Sequence, residues 1–598
     1  MAEPLQPPPV DRDVIVRLPT QTTPSYVQTV IGKKSYLSED VDEFRGIPYG
    51  EVSQRWTHSR LRTHLPQDEY DAAKDGPVSP FAGRGNSTSY FQAYLPIPEF
   101  EKSEFDCLNL IIVRPSIAAL SRIGIQGPAK LPVLVWIHGG GGSESGSHPL
   151  YDPVRLVSRS LEIGSPIIAV LPNFRHGVFG FLGSTDILTT QTDDENKGLN
   201  FGLYDQKVAL AWVARNIAHF GGDPKQVTFG GSSSGSFAVH VHLLDSDSHA
   251  TEPLFKRTIL QSGAQFTLSP LPLEDMKAPW DELCQYWGIQ TENSQQKVEF
   301  LRKVSTEAMI EFTTKSKKMK LGPIADDLTM TMQTATFPDV DQGQDVKSVG
   351  YDPVEVMLGA SDVEEAGFVQ NDVDLKRLQT IFAESYGTPA RGDEILNAYG
   401  LVKGSEQSVL RANYERFLSD AKFDLPIYML QTTLSKQRRA DLGDATSIQP
   451  YSIQFGNPFP GPKKGAAHHC VELIYLFDPF HNALVDADNG IFMAYPESSD
   501  ELSARQETDA TDSTVDDQSE RRTVSNLELV GRVQDHYIGF ITGKSTQKAA
   551  EGEMLVWGRD RTLRVENLEE DPMWVKRIGR LKLLQEDIPA IRRVLNAL

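Results

Sequence analysis

Three consecutive serines, Ser232, Ser233 and Ser234, sit inside the run Gly230-Gly231-Ser232-Ser233-Ser234-Gly235. Only Ser233 has a glycine two residues away on each side, giving G-x-S-x-G between strand-like Val227-Thr228-Phe229 and a helix-like run. A strand that turns so sharply into a helix tolerates only glycine-sized neighbours and leaves the central hydroxyl projecting alone, ready to act as a nucleophile. The bland alternative is a Gly/Ser-rich loop. A second cluster, His138-Gly139-Gly140-Gly141-Gly142, also follows a strand-like run. Backbone N–H groups unobstructed by Cβ atoms can converge on a developing oxyanion, and those of Gly140, Gly141 and Ser234 form the natural trio. A phosphate loop would need a G-K-[ST] ending or a G-x-G-x-x-G in the first strand–turn–helix, and neither is present.

A serine nucleophile needs a base and an acid to orient it. Of the 13 histidines, His468 and His469 stand out in Gly465-Ala466-Ala467-His468-His469-Cys470-Val471-Glu472-Leu473, just beyond strand-like Tyr451–Phe455. A metal site is the competing reading of a histidine pair, but adjacent residues rarely aim at one ion and no spaced N/S ligand set accompanies them. Cys470 lies in this histidine loop and not on an elbow, so it reads as structural. In the chain order serine, acid, histidine, the acid falls in Gly359-Ala360-Ser361-Asp362-Val363-Glu364-Glu365. Asp362, Glu364 and Glu365 compete there, and an ordinary acidic loop is the plain alternative.

The elements that must position these groups are legible as short, two-sided apolar runs at 131–137, 166–171, 227–229, 258–261 and 354–358. Helix-length stretches separate them, such as Tyr204 to Phe220 with Val208, Ala209, Trp212, Val213 and Ile217 at helical spacing. That alternation predicts an α/β fold, a mostly parallel sheet covered on both faces. Sites in such sheets lie at the carboxyl ends of strands, where Ser233 sits.

The chain resembles the type B carboxylesterases, the family of carboxylesterases, cholinesterases and certain fungal lipases. The matching segments include Phe44-Arg-Gly-Ile-Pro-Tyr49, Asp106-Cys107-Leu-Asn-Leu110, Trp136-Ile-His-Gly-Gly-Gly141, Asn173-Phe-Arg-His-Gly-Val-Phe-Gly-Phe-Leu182, the run from Asn200 to Pro224, and Leu254–Gly263. The resemblance implies an α/β-hydrolase fold, with loop and helical insertions, and ester hydrolysis through a Ser-His-Glu triad. The family's acid stands five residues after a strand-end glycine, which from Gly359 selects Glu364, with Asp362 and Glu365 as alternatives. Its base stands three residues before a Glu-Leu pair, which selects His469, with His468, reached by counting forward from Gly465, as the alternative.

The chain departs from the family pattern at three places beside the site. Ser232 stands where a glutamate is common, so the resemblance does not extend to choline esters. Ser234 replaces an alanine, which leaves the backbone donor unchanged. Gly142 replaces an aromatic residue and widens the acyl side of the pocket. Secreted relatives carry a disulfide at the position of Cys107, but its expected partner region holds Ser79, and only Cys284 and Cys470 remain. With no signal-like start, a cytoplasmic location is expected; the Asn86-Ser87-Thr88 sequon then carries no glycan.

Composition completes the expectation. A chain of 598 residues, 39% hydrophobic, can bury a large core, read as residues 25–598 in one domain behind a disordered tail at 1–24. A net charge of −22 excludes nucleic acid as a partner, and no apolar run is long enough to span a membrane. Residues 497–521 are acidic and rich in Ser/Thr, and read as a mobile surface loop. The expected partner is a small-molecule ester, with no cofactor and no metal. An acyltransferase using the same triad, or a non-catalytic binding protein with a vestigial one, are the alternatives.

Overall fold

The computed structural model describes residues 14–20, 26–81, 90–141, 144–192, 197–244, 254–264, 267, 270–316, 319, 321–330, 354–442, 448–492, 524–545 and 547–598. The acidic segment 497–521 and the Asn86 sequon lie outside them.

The N-terminal expectation is corrected at residues 15–19. Strand β1 (Ile15–Pro19) pairs antiparallel with β2 (Val27–Ile31), which pairs in parallel with β5 (Glu69–Asp71). The reason is period-two patterning: Val14, Val16 and Leu18 are buried and Ile15 and Arg17 are exposed. The proline-rich start obscured that alternation.

The main sheet is built from β3 (Lys33–Lys34), β4 (Val41–Pro48), β6 (Asn109–Pro115), β7 (Leu131–Ile137), β8 (Ile168–Pro172), β9 (Gly222–Ser232), β10 (Arg257–Gln261), β11 (Glu355–Ser361), β12 (Ile448–Ile453), β13 (Glu553–Trp557) and β14 (Leu563–Asn567). Their order across it is β14-β13-β12-β11-β10-β9-β7-β8-β6-β4-β3. The strands from β13 to β8 in that order are parallel, and antiparallel strands close both edges. The inner strands β12, β11, β10, β7 and β8 are buried on both faces, as expected for a parallel sheet sandwiched by helices. In β7, Val133, Val135 and Ile137 enter the core on one face, and Leu134 and Trp136 the core on the other.

Helices α1 (Phe201–Asn216), α2 (Ser234–Leu244) and α4 (Leu425–Leu442) cover the first face through residues such as Trp212, Phe237 and Leu430. Helix α5 (Asn526–Ile541) covers the second with Leu529, Val533 and Tyr537. Each such aliphatic or aromatic side chain contributes roughly 1.5–3 kcal/mol by leaving water. Between α3 (Gln407–Ser419) and α4 lies a π-helical turn, Asp420–Asp424. Helix α6 (Pro572–Gln585) packs against both α4 and that turn. Among the described residues, no helix is long and apolar enough to cross a membrane.

Candidate active site

Ser233 occupies the single residue between the end of β9 and the start of α2, with φ +56°. A left-handed non-glycine residue is strained, and the surrounding backbone must hold it there. The flanking glycines make that possible: a Cβ on Gly235 would lie 2.2 Å from the Ile137 carbonyl oxygen, and one on Gly231 2.6 Å from the Gly235 carbonyl carbon. The Ser233 N–H donates to Gln261 O at 2.9 Å, which ties the elbow to β10.

The histidine loop brings His469 Nε2 to 2.8 Å from Ser233 Oγ. Its Nδ1 lies 2.5 Å from Glu364 Oε2, while Glu364 Oε1 accepts from Ser361 N at 2.5 Å. The His469 N–H also donates to Glu364 O at 2.9 Å, so backbone and side chain fix the two residues together. Glu364 is buried, and His469 packs against the Phe423 ring at 4.7 Å.

The alternatives point elsewhere. His468 is fully buried; its Nε2 takes a hydrogen bond from Asn457 Nδ2 at 3.0 Å and its Nδ1 donates to His469 O at 2.9 Å. Burial, with Lys463 nearby, lowers its pKa to about 3, so it is a neutral structural group. Asp362 faces Arg416, Arg577 and Arg559. Burial alone would raise its pKa, but these guanidinium groups hold it below the ordinary range. Glu365 pairs with Lys422 at 2.9 Å. The histidine selected by Glu472-Leu473 therefore lies between Ser233 and Glu364; the one selected by Gly465 does not.

Glu472, which served in the sequence only as a register marker, is wholly buried. Its Oε2 receives a long 3.4 Å hydrogen bond from Ser361 Oγ. Burial, and then the neighbouring Glu364, raise its pKa well above the ordinary glutamate value, which favours its neutral form behind Glu364. Sequence patterning offered no sign of this, because the shift follows from depth in the fold.

On the other side of Ser233, Gly140 and Gly141 adopt φ +86° and +58°, which explains glycine at both positions. The Tyr151 hydroxyl accepts from Gly139 N at 3.1 Å and donates to Glu144 at 2.7 Å, bracing the loop. Gly141 N donates to Ser234 Oγ at 3.1 Å. Ser234 was expected to matter through its backbone alone; its hydroxyl in fact engages one of the expected oxyanion donors. Ser79 Oγ accepts from His176 N at 2.9 Å, and Cys107 is buried with a free thiol. Among the described residues, no group of three His, Cys, Asp or Glu side chains is arranged to hold a metal.

Residues 19–497 match the model of the Carboxylesterase family. The chain belongs to that family. It is 27% identical over 464 residues to Lipase 3 of Yarrowia lipolytica, spanning 76% of this chain and 83% of the relative. It is 28% identical to liver carboxylesterase 1F of Rattus norvegicus, over 76% and 81% of the two chains. Lipase 5 of Diutina rugosa is 32% identical over 65% of this chain and 66% of its own length. A solved PNB esterase superposes with a TM-score of 0.64 at 22% identity, covering 95% of this chain and 99% of its own. The fold is that of the α/β-hydrolases, and the chain is a carboxylic ester hydrolase.

Proposed function

We propose that the protein hydrolyses carboxylic esters in two acyl-transfer steps through Ser233, His469 and Glu364. The observation that carries this reading is the unbroken relay from Ser233 Oγ to His469 Nε2 at 2.8 Å and from His469 Nδ1 to Glu364 at 2.5 Å. His469 takes the Ser233 proton as Oγ bonds to the ester carbonyl carbon, and the carbonyl electron pair moves onto oxygen. Backbone N–H groups of Gly140, Gly141 and Ser234 receive that oxyanion; each such donor stabilises a transition state by about 3–4 kcal/mol. Collapse breaks the bond to the alcohol oxygen, which takes the proton from His469. Water then adds to the acyl-enzyme with the same histidine as base, releasing the acid and restoring Ser233. Glu364 holds the tautomer and stabilises the imidazolium.

Reaction with a fluorophosphonate followed by peptide mapping tests the assignment. Labelling at Ser233, absent in Ser233→Ala, is expected; a folded protein that takes no label would be a non-catalytic member, and label plus acyl transfer to alcohols in preference to water would make it an acyltransferase. We place this reaction in the cytoplasm, a reading supported by the buried free thiols of Cys107, Cys284 and Cys470. Recovery of the enzyme in the secreted fraction of its native cell would contradict that.

A further inference from the structure

Beyond the oxyanion loop lies a cavity of about 210 Å³, walled by Phe174, Phe181, Leu203, Phe237 and Leu321 and reaching Gly141 and Ser234. Drug-sized ligands occupy sites of about 300–1,000 Å³, so this space takes part of a substrate and not the whole. Which part follows from the relay. The departing alcohol must lie against His469 Nε2, which protonates it. No residue of the Glu364 or His469 loops lines the cavity, and neither does Phe423. With the alcohol at His469, the space beyond Gly141 and Ser234 is left for the acyl group.

Five polar side chains, His138, His176, Gln206, Ser234 and Thr313, interrupt its apolar wall. His138 Nδ1 lies 2.9 Å from Gly139 O, and a carbonyl can only accept, so that nitrogen carries the proton. His138 is neutral, its pKa lowered to about 4 by burial, so its Nε2 is an acceptor. His176 Nε2 lies 3.2 Å away and must donate to it. Burial first, and then His138, keep His176 neutral too. His176 Nδ1 is consequently an unprotonated acceptor, and no described protein group donates to it. Gln206 also lines the cavity; its Oε1 is engaged by His242 at 3.0 Å, and its amide nitrogen donates to no described group. Both residues stand on rigid supports. Arg175, next to His176, makes a two-pronged buried contact with Asp205 on α1 at 2.7 and 2.8 Å, and Gln206 is the next residue of that helix.

We propose that this cavity selects acyl groups of short to medium length that carry a hydroxyl, which donates to His176 Nδ1. An acceptor on a residue that lines a mostly apolar cavity gains from a donor that reaches it. A plain alkyl chain that displaced water from the nitrogen would leave it unpaired, whereas a hydroxyl would not. Sites of this type discriminate against the analogue that lacks the hydrogen-bonding group. Because both imidazoles are neutral, the preference is for a hydroxyl and not for a carboxylate. The inference rests on Ser233 as the nucleophile.

The test uses methyl hexanoate and its 2-, 3- and 6-hydroxy derivatives, with proton release as the readout and no-enzyme controls. At least one hydroxy ester is expected to exceed hexanoate in kcat/KM by about tenfold. His176→Phe is expected to bring that ratio toward one. A wild-type ratio at or below one for every derivative overturns the proposal, whether or not His176→Phe folds. So does a preference that survives His176→Phe. If hexanoate is hydrolysed and Ser233 takes the fluorophosphonate while no hydroxy ester is favoured, the inference alone fails. If no ester turns over and Ser233 is not labelled, the reading of Ser233 fails and takes the inference with it.

Discussion

The Ser234 hydroxyl accepts from Gly141 N–H, so a substrate oxyanion must compete for a donor that is already engaged. Breaking a neutral hydrogen bond of this kind costs about 0.5–1.5 kcal/mol net. Ser234→Ala is accordingly expected to raise kcat/KM by roughly 2–10-fold; a fall would mean the hydroxyl itself donates to the oxyanion. The two histidines separate in the opposite sense. His469→Ala should lower kcat by about 10⁴–10⁶, while His468→Ala, which removes Asn457's partner, should cost stability and leave most of the turnover rate. Measuring both on one ester decides it: loss of turnover only in His468→Ala would reverse the assignment. Glu472 adds a pH-dependent prediction. Its proton is held to higher pH in the fold than in the unfolded chain, where it leaves above about pH 4.3. Its contribution to stability is therefore complete below that value and lost as pH rises toward the folded pKa. Glu472→Gln removes this loss, so its Tm should exceed that of wild type at pH 8 by more than at pH 4.

At the level of elements, the site depends on close approaches that side chains would block. Gly235→Ala places a methyl against the end of β7, and is expected to destabilise the fold by more than about 2 kcal/mol, as clashes in a packed core do. Denaturant unfolding measures this directly; a variant as stable as wild type would show that the elbow can relax. A second dependence runs from the C-terminal helix α6 to the acid loop. Arg577 is buried and meets Asp362 Oδ1 at 3.3 Å and Asp424 at 2.7 Å, while its Nη2 donates to Asp362 O at 3.2 Å. Asp362 lies two residues from Glu364, so α6, beyond the segment matched to the family, helps fix the loop that carries Glu364. Arg577→Met leaves Asp362 and Asp424 short of a partner and is expected to cost about 3–5 kcal/mol. It should also lower kcat more than it raises KM, since the substrate itself is not touched.

For the molecule as a whole, buried neutral histidines govern the acid limit. Burial lowers His58, His138 and His536 to about 4, and His240 and His468 to about 3. The unfolded chain binds protons at these positions below about pH 6.5 and the fold does not. Stability is therefore present above that value and falls as pH drops toward the folded values, by up to about 1.4 kcal/mol per histidine per pH unit. Calorimetry from pH 8 to 4 should show a steepening fall in Tm below pH 6.5. A Tm that climbs on acidification would contradict it.

Local chemistry made much of this architecture legible. The alternation of apolar runs and helical stretches is a property of neighbouring residues, so strands β7 to β12 and helix α1 could be read from it. The elbow could be read because a sharp turn restricts which residues fit within five positions. The strand β1 was hidden because a proline-rich start masked a two-residue period. Which histidine faces Ser233, and which of Asp362, Glu364 and Glu365 faces that histidine, were decided only in the fold. Those choices depend on which way adjacent side chains point after a turn, and adjacent residues are nearly indistinguishable by type. The raised pKa of Glu472, the hydroxyl of Ser234 on Gly141 and the acceptor nitrogen of His176 belong to the same class. Each is set by burial and by partners distant in the chain, which no local pattern of residues encodes.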